Sequence, residues 1–150
     1  MTTIYLIRHA EADGNLYRRA HGWYNSVITD RGYRQIAALS ARFAGTKFDA
    51  VYASDRFRTM ITALAIYKTH GLPLHTEPRL REVDVGYWED VPWAEIEERD
   101  GEQLALFNTD AEKWRVDGGE RIAEVRDRMC DALREIAEKH PGGTAAVFSH

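Results

Sequence analysis

Near the start of the chain Arg8 and His9 stand side by side, a permanent cation next to a nucleophilic ring. Ser54-Asp55-Arg56 with Arg58 just beyond form a second such group, and Ser149-His150 stand last in the sequence. Arginine's planar fork makes paired, charge-assisted hydrogen bonds to phosphate oxygens, each worth about 1.5–3 kcal/mol, whereas lysine brings charge without that geometry. A histidine among such cations resists a further positive charge, so its pKa falls and its ring stays neutral and nucleophilic. The combination describes a site for a phosphate-sized anion and favours covalent catalysis through histidine. One Arg-His pair alone is more often a structural hydrogen-bonding feature, and it is the recurrence at three places that carries the reading.

The elements that must position these groups follow from periodicity. Thr3-Ile4-Tyr5-Leu6-Ile7 is a short continuous apolar run, as in a strand covered on both faces. Thr29 offers an N-cap for a helix to about Ala44, with Ile36, Leu39 and Phe43 on one face and Gly45 closing it. Phe48 to Ala53 reads as a second strand, and Ser54 or Asp55 caps a helix carrying Met60, Ala63, Leu64 and Tyr67 that stops at His70-Gly71-Leu72-Pro73. Leu74 to Thr76 fits a short strand. The stretch from Leu80 to Asp117 reads as irregular chain with one or two acidic helices around Glu95 and Leu106. Ile122, Val125, Met129, Leu133 and Ile136 mark an amphipathic helix that ends at His140-Pro141-Gly142-Gly143, and Thr144 to Phe148 is a further strand.

Strands alternating with helices predict an α/β fold, a mostly parallel central sheet with helices on both faces. Ligands of such sheets bind outside the carboxyl ends of the strands. Three of the expected strands end at Arg8-His9, at Ser54-Asp55-Arg56 and at Ser149-His150, so if they are parallel neighbours these groups share one rim. Arg58 then falls in the first turn of its helix, where free N–H groups and the dipole already favour an anion.

These residues resemble the histidine phosphatase superfamily, also called phosphoglycerate mutase-like. Arg8-His9-Ala10-Glu11 is similar to its Arg-His-Gly-Glu signature, with Ala in place of Gly. Asn15, Gly22, Ile28-Thr29, Gly32 and Gln35 look like the segment that follows it. Ser54 to Ala63 resembles the second arginine motif, Leu80-Arg81-Glu82 with Gly86 and Trp88-Glu89 the segment carrying an acid, and Gly118-Gly119-Glu120 and Phe148-Ser149-His150 complete the order. The resemblance runs from Ile4 to His150. It implies a phosphoglycerate mutase-like three-layer sandwich, in which His9 attacks phosphorus and carries a phosphohistidine. Arg8, Arg58 and His150 would hold the equatorial oxygens, Asn15 and Gly22 would join the phosphate site, and Glu82 would protonate the leaving oxygen and then accept a proton from water. No metal and no cofactor are implied. Phosphate monoesters react so slowly unaided that enzymes can accelerate them by up to about 10²¹-fold, most of it from positioning and charge stabilisation.

Each assignment has a competitor. Glu82 could be a surface carboxylate beside Arg81, a pair worth about 0–1 kcal/mol. Asn15 could simply form a turn, Glu11 could bond within its loop, and Ser54 and Asp55 could be helix caps. His21 is close enough in sequence to line the pocket. His70 and His140 read as helix-end residues and His75 as an exposed strand residue. Arg18, Arg19 and Arg81 could meet a second anionic group, although solvated charge is the default. Trp23, Tyr24, Tyr87, Trp88 and Trp93 could line a specificity pocket or pack locally.

The compact segment around Leu-Arg-Glu-Val-Asp-Val-Gly-Tyr-Trp-Glu looks more like the phosphatase branch, so hydrolysis of a small phosphorylated metabolite is preferred to mutase-type phosphoryl transfer. Two other classes stay open. His9, Glu11, Asp13 and His21 could bind a metal for a metal-dependent phosphohydrolase, which the neighbouring Arg8 disfavours. Alternatively, the chain is a non-catalytic phosphate-binding or regulatory module.

Composition narrows the rest. The 150 residues are 29% charged and 44% hydrophobic, with Lys+Arg 20 against Asp+Glu 24 and a net charge of −4. That suits one soluble domain spanning 1–150, and the absence of a basic tract argues against nucleic acid as partner. A single cysteine, Cys130, allows no intramolecular disulfide. No apolar run approaches the roughly 18 residues that span a bilayer, and no signal-peptide pattern opens the chain, so a cytoplasmic location without membrane contact is expected. The superfamily continues beyond the position of His150 with a glycine and a helix. The expectation is therefore a domain whose C-terminal part is missing, which would leave the last strand without its covering helix and an exposed edge or apolar patch able to support a homodimer.

Overall fold

The computed structural model describes residues 1–150. Its centre is a sheet of β1 (Thr3–Arg8), β2 (Ala50–Ala53), β3 (Leu74–Thr76) and β4 (Thr144–Ser149), in the order β1-β4-β2-β3 with every pairing parallel. Arg8 lies opposite Ser149 and Ala53 opposite Phe148, so the carboxyl ends of β1, β4 and β2 finish level. The ladder runs one step further, with His9 N–H donating to the Ser149 carbonyl at 2.9 Å and Ser54 N–H to the Phe148 carbonyl at 3.1 Å. Three chain segments distant in sequence thereby deliver their reactive residues to one rim.

The helices are α1 (Asp13–Leu16), α2 (Asp30–Phe43), α3 (Phe57–His70), α4 (Trp93–Thr109) and α5 (Ile122–Lys139). The period-2 side-chain alternation of β4 divides its residues between two cores. Ala146 and Phe148 join Val51 and Ala53 of β2 in a cluster with Ile36 and Phe43 of α2 and Ala63 and Ile66 of α3. Ala145 and Val147 join Leu80 and the α5 residues Ala132 and Ile136 on the opposite face. The expected layering of helices on both faces of a parallel sheet is thus present. Thr29 caps α2 by accepting from Gly32 N–H, and Gly71, at φ +66°, ends α3 in the left-handed conformation that glycine adopts without steric cost.

Several local expectations are corrected. In the 80–117 stretch the helices expected around Glu95 and Leu106 are present as the two arms of α4, which kinks at Asp100, and the chain before them is more ordered than its polarity suggests, with 3₁₀ turns at Pro78–Leu80 and Gly86–Trp88. A third apolar cluster organises it, with Trp88, Trp114, Val83, Val85 and Ile96 buried and Trp93 and Phe107 packed against them. Strand β2 starts at Ala50 rather than Phe48, because Phe48 turns into the core with Phe43 and the Asp49 carboxylate takes the first N–H of β4. Strand β4 is not left uncovered. It is inserted between β1 and β2, its residues Ala145 to Phe148 are fully buried, and the sheet's edge strands are β1, where Leu6 is 59% exposed, and β3. No helix is long and apolar enough to cross a membrane.

Candidate active site

His9 follows β1 directly and is 8% exposed. Its Nδ1 lies 2.7 Å from the Ala10 carbonyl, which can only accept, so Nδ1 carries the ring proton and Nε2 keeps a free lone pair. Burial lowers the ring's pKa to about 3. The Ala10 bond opposes this, while Arg58, His21 and Arg8 add to it through repulsion. The loop is held from both sides, Ala10 N–H donating to Thr62 Oγ1 at 2.9 Å and Glu11 N–H to Gln35 Oε1 at 2.8 Å.

The rings of His21 and His150 lie 5.7 and 5.3 Å from that of His9. Asn15 accepts from Ala12 N–H through Oδ1, which turns its amide nitrogen toward His21 Nε2 at 3.2 Å. His21 Nε2 is therefore an acceptor, and Nδ1–H donates to Ser26 Oγ at 2.9 Å. Burial, with Arg58 beside it, lowers the His21 pKa to about 4. His150 is tied at Nε2 to Ser54 Oγ, 2.8 Å away, while its Nδ1 is buried without a partner. Burial and then Arg58 press its pKa well down.

Arg58 is fully buried in the first turn of α3. Its Nη1 donates to the Tyr24 carbonyl at 2.9 Å, and its Nη2 donates to those of His21 and Gly22 at 2.9 and 2.8 Å. Nε has no partner, like His150 Nδ1. Burial lowers the pKa of Arg58 to about 10, opposed by Glu82 and Glu89, which leaves it charged. The start of α3 is less open to an anion than its sequence suggests, since the Asn25 side chain takes the Phe57 N–H at 2.6 Å.

Glu82 lies on the irregular turn after Leu80, half-buried, with Oε1 accepting from Val83 N–H at 2.9 Å. It faces a cavity of about 410 Å³ lined also by Arg8, Asn15, Arg18, His21, Gly22 and Trp93. Arg8 and Asn15 line a smaller concavity as well, about 210 Å³, which reaches His9. The structure therefore places Arg8, Asn15, Gly22 and Glu82 on one cavity wall, whereas His9 lines only the smaller concavity, and the buried Arg58 and half-buried His150 line neither. Arg18, Trp93 and Phe107 continue from the cavity that Glu82 faces into an adjoining cleft of about 730 Å³.

Other residues read from the sequence serve different ends. Ser54 and Asp55 do not cap α3, whose N-cap is Arg56 with no side-chain bond. Ser54 reaches His150 instead, and Asp55 is gripped by Arg81 Nε at 2.7 Å. The Arg81 bonds, opposed by burial and aided by Arg56, hold the Asp55 carboxyl well below the usual range. Arg81 is thus no solvated charge: it pairs with Asp55 rather than Glu82 and sits over the Trp23 ring at 4.5 Å. Of the aromatic candidates, Trp93 lines the cavity, whereas Trp88 is packed in the third cluster and Trp23 donates through Nε1 to the Glu82 carbonyl at 2.9 Å. Glu11 bonds within its loop, accepting from Thr29 Oγ1 at 2.7 Å. His9, Glu11, Asp13 and His21 do not converge as a metal-ligand group. The sequence reading missed Glu89, which accepts from the N–H groups of Trp23 and Tyr24 at 2.6 and 2.8 Å and so shapes the loop whose carbonyls hold Arg58. An acid beside Trp88 in the motif was the only signal for it.

The sequence profile of the histidine phosphatase superfamily (branch 1) matches residues 4–150. The chain belongs to the histidine phosphatase superfamily. Among the curated members of that superfamily, Phosphoserine phosphatase 1 of Hydrogenobacter thermophilus is 31% identical over 150 residues, covering 100% of this chain and 71% of its own length. The Metal-independent phosphoserine phosphatase of Arabidopsis thaliana is 35% identical over 153 residues, and there the match covers 64% of the relative. Of solved structures, Bacillus stearothermophilus YhfR superposes with a TM-score of 0.96 at 31% identity, over 100% of this chain and 74% of that one. The chain thus spans about two thirds to three quarters of these histidine phosphatase relatives.

Proposed function

We propose that this chain is a phosphomonoester hydrolase that needs no metal and acts on a small phosphorylated metabolite through a phosphohistidine on His9. The observation that carries the reading is the state of His9: neutral, with Nδ1–H committed to Ala10 and Nε2 free, among Arg8, Arg58 and His150. In the first step the Nε2 lone pair forms the P–N bond while the P–O ester bond breaks, and Glu82 gives the leaving oxygen its proton. In the second step water attacks phosphorus, Glu82 takes the proton back, and the P–N bond breaks to release phosphate and restore neutral His9. Arg8 and the unpartnered Arg58 Nε–H meet the negative oxygens, as fixed donors must if they are to act without reorganising. The relatives named as phosphoserine phosphatases, one of them as metal-independent, support hydrolysis of small phosphomonoesters. The cleft beyond Arg18, Trp93 and Phe107 offers room for the leaving group.

The test is phosphate release from an aryl phosphate by the 150-residue chain in EDTA, with His9→Ala alongside. Chelator-resistant turnover that disappears in the variant, with an acid-labile phosphoenzyme only in the parent, is expected. Turnover abolished by EDTA, or retained by His9→Ala, overturns the reading. Transfer of the phosphoryl group to an added sugar acid in preference to water would assign the mutase reaction instead.

A further inference from the structure

We propose that Arg128, on α5, is a positioning residue that sets the direction of the Glu82 carboxyl by gripping the backbone of its turn. The inference rests on the reading of Glu82 as the proton donor. Residues 79–84 lie outside the sheet and the long helices, so their carbonyls have no ladder to join. Arg128 supplies the partners: Nη1 donates to the carbonyls of Arg79 and Arg81, each at 2.7 Å, and Nη2 to that of Glu82 at 2.8 Å. The remaining donors go to Glu120, from Nε to Oε1 at 2.8 Å and from Nη2 to Oε2 at 2.7 Å. All five N–H groups of the guanidinium are spent, three of them on the acid-bearing turn.

Glu120 extends the grip past Glu82. Its Oε2 accepts from Asp84 N–H at 3.0 Å, and its own N–H donates to the Asp84 carbonyl at 2.9 Å. Burial disfavours the Glu120 charge, but the bonds from Arg128 and Asp84 outweigh it and bring the pKa below its ordinary value. The turn is therefore clamped before, at and after residue 82. Two further side chains complete it: Ser149 Oγ donates to the Leu80 carbonyl at 2.9 Å, and Trp23 Nε1 shares the Glu82 carbonyl. The base of the clamp is rigid, because Ala132 and Ile136, one and two turns along α5, are buried against Leu80. The Glu82 carboxyl accepts only its neighbour's N–H at Val83, so its direction follows the backbone that Arg128 holds. Lysine at 128 would keep the charge but lose the planar fork that reaches three carbonyls and a carboxylate together.

The test compares Arg128→Lys, Glu120→Gln and Glu82→Gln on phosphomonoesters of graded leaving-group acidity, from an alkyl phosphate to 2,4-dinitrophenyl phosphate. A misplaced acid hurts poor leaving groups most, whereas general loosening of the fold lowers every rate alike. Arg128→Lys is expected to lose roughly 10–100-fold in kcat/KM, which reports the P–O cleaving step alone, on the alkyl phosphate, with a much smaller loss on the dinitrophenyl ester. Glu120→Gln should show a weaker gradient of the same sense, and it carries the test alone if Arg128→Lys does not fold. A graded loss in Glu82→Gln with a flat one in Arg128→Lys and Glu120→Gln overturns the positioning role alone. A flat loss in Glu82→Gln overturns both that role and the assignment of the acid.

Discussion

Arg58 Nη2 donates to the carbonyl of Gly22 at 2.8 Å, and Gly22 itself lies so close to the acid-bearing segment that a Cβ would come within 2.2 Å of the Val83 carbonyl oxygen. The buried Arg58 guanidinium and the turn that carries Glu82 therefore meet at one glycine. Gly22→Ala forces the two backbones apart and takes an acceptor from Arg58, and it is expected to cost about 1–3 kcal/mol of stability and more than tenfold in kcat/KM. Gly45→Ala, where a Cβ meets nothing, serves as control, and thermal melts with aryl phosphate kinetics decide.

Arg58→Lys tests the buried guanidinium. An ammonium at the end of that stem cannot serve Tyr24, His21 and Gly22 together, so carbonyls and charge are left unsatisfied in a fully buried place. A loss of about 3–5 kcal/mol, the scale of breaking one partner of a buried charged set, should appear in urea unfolding. Inorganic phosphate should also protect the variant less than the parent. Equal protection would show that Arg58 is structural only.

Stability should fall as pH drops below 6.5. His9 and His21 have folded pKa values of about 3 and 4 against ordinary values of 6.5, so between these limits the unfolded chain binds protons that the folded chain refuses. The stability they contribute is full above pH 6.5 and is lost on acidification. His21→Asn should flatten the slope by roughly 1.4 kcal/mol per pH unit, or about 3–6 °C in Tm per pH unit, measured between pH 6 and 5. An unchanged slope would mean that His21 is charged in the folded protein.

Trp93 and Phe107 stack at 6.0 Å and line both the cavity that Glu82 faces and the adjoining cleft. Trp93→Ala should raise KM about 3–30-fold for phosphomonoesters with a bulky apolar leaving group, the equivalent of a few kcal/mol or less of lost burial, and leave small polar esters unaffected. Equal loss on both would place the aromatic pair in the fold of the 80–117 segment rather than in substrate contact.

What could be read from the sequence was whatever burial makes periodic. Ile122, Val125, Met129, Leu133 and Ile136 announce α5, and the apolar runs at 3–7 and 144–148 announce β1 and β4, because each face meets a core of its own. The motif order placed Arg8, Asn15, Gly22 and Glu82, and they do share a cavity wall. Partnerships across the fold left no local trace. Ser54 has the composition of a cap, yet its partner is His150, 96 positions away. Arg128 looks like any solvated helix charge until α5 is laid against Leu80. Trp114 in a polar stretch gives no sign of the aromatic cluster it completes.

The central position of β4 has a kinetic consequence. Strands β1 and β2 never touch directly, and the register that joins them runs through pairs such as Thr3 with Thr144, nearly the full chain apart. Closing so long a loop costs entropy before any contact repays it, which makes such topologies slow to fold. Until β4 slides into place, His9 and Ser54 belong to two unjoined edges and no anion can be enclosed between them. Recovery of catalysis after denaturation should therefore coincide with the final, rate-limiting appearance of the parallel sheet, with no earlier species able to turn over.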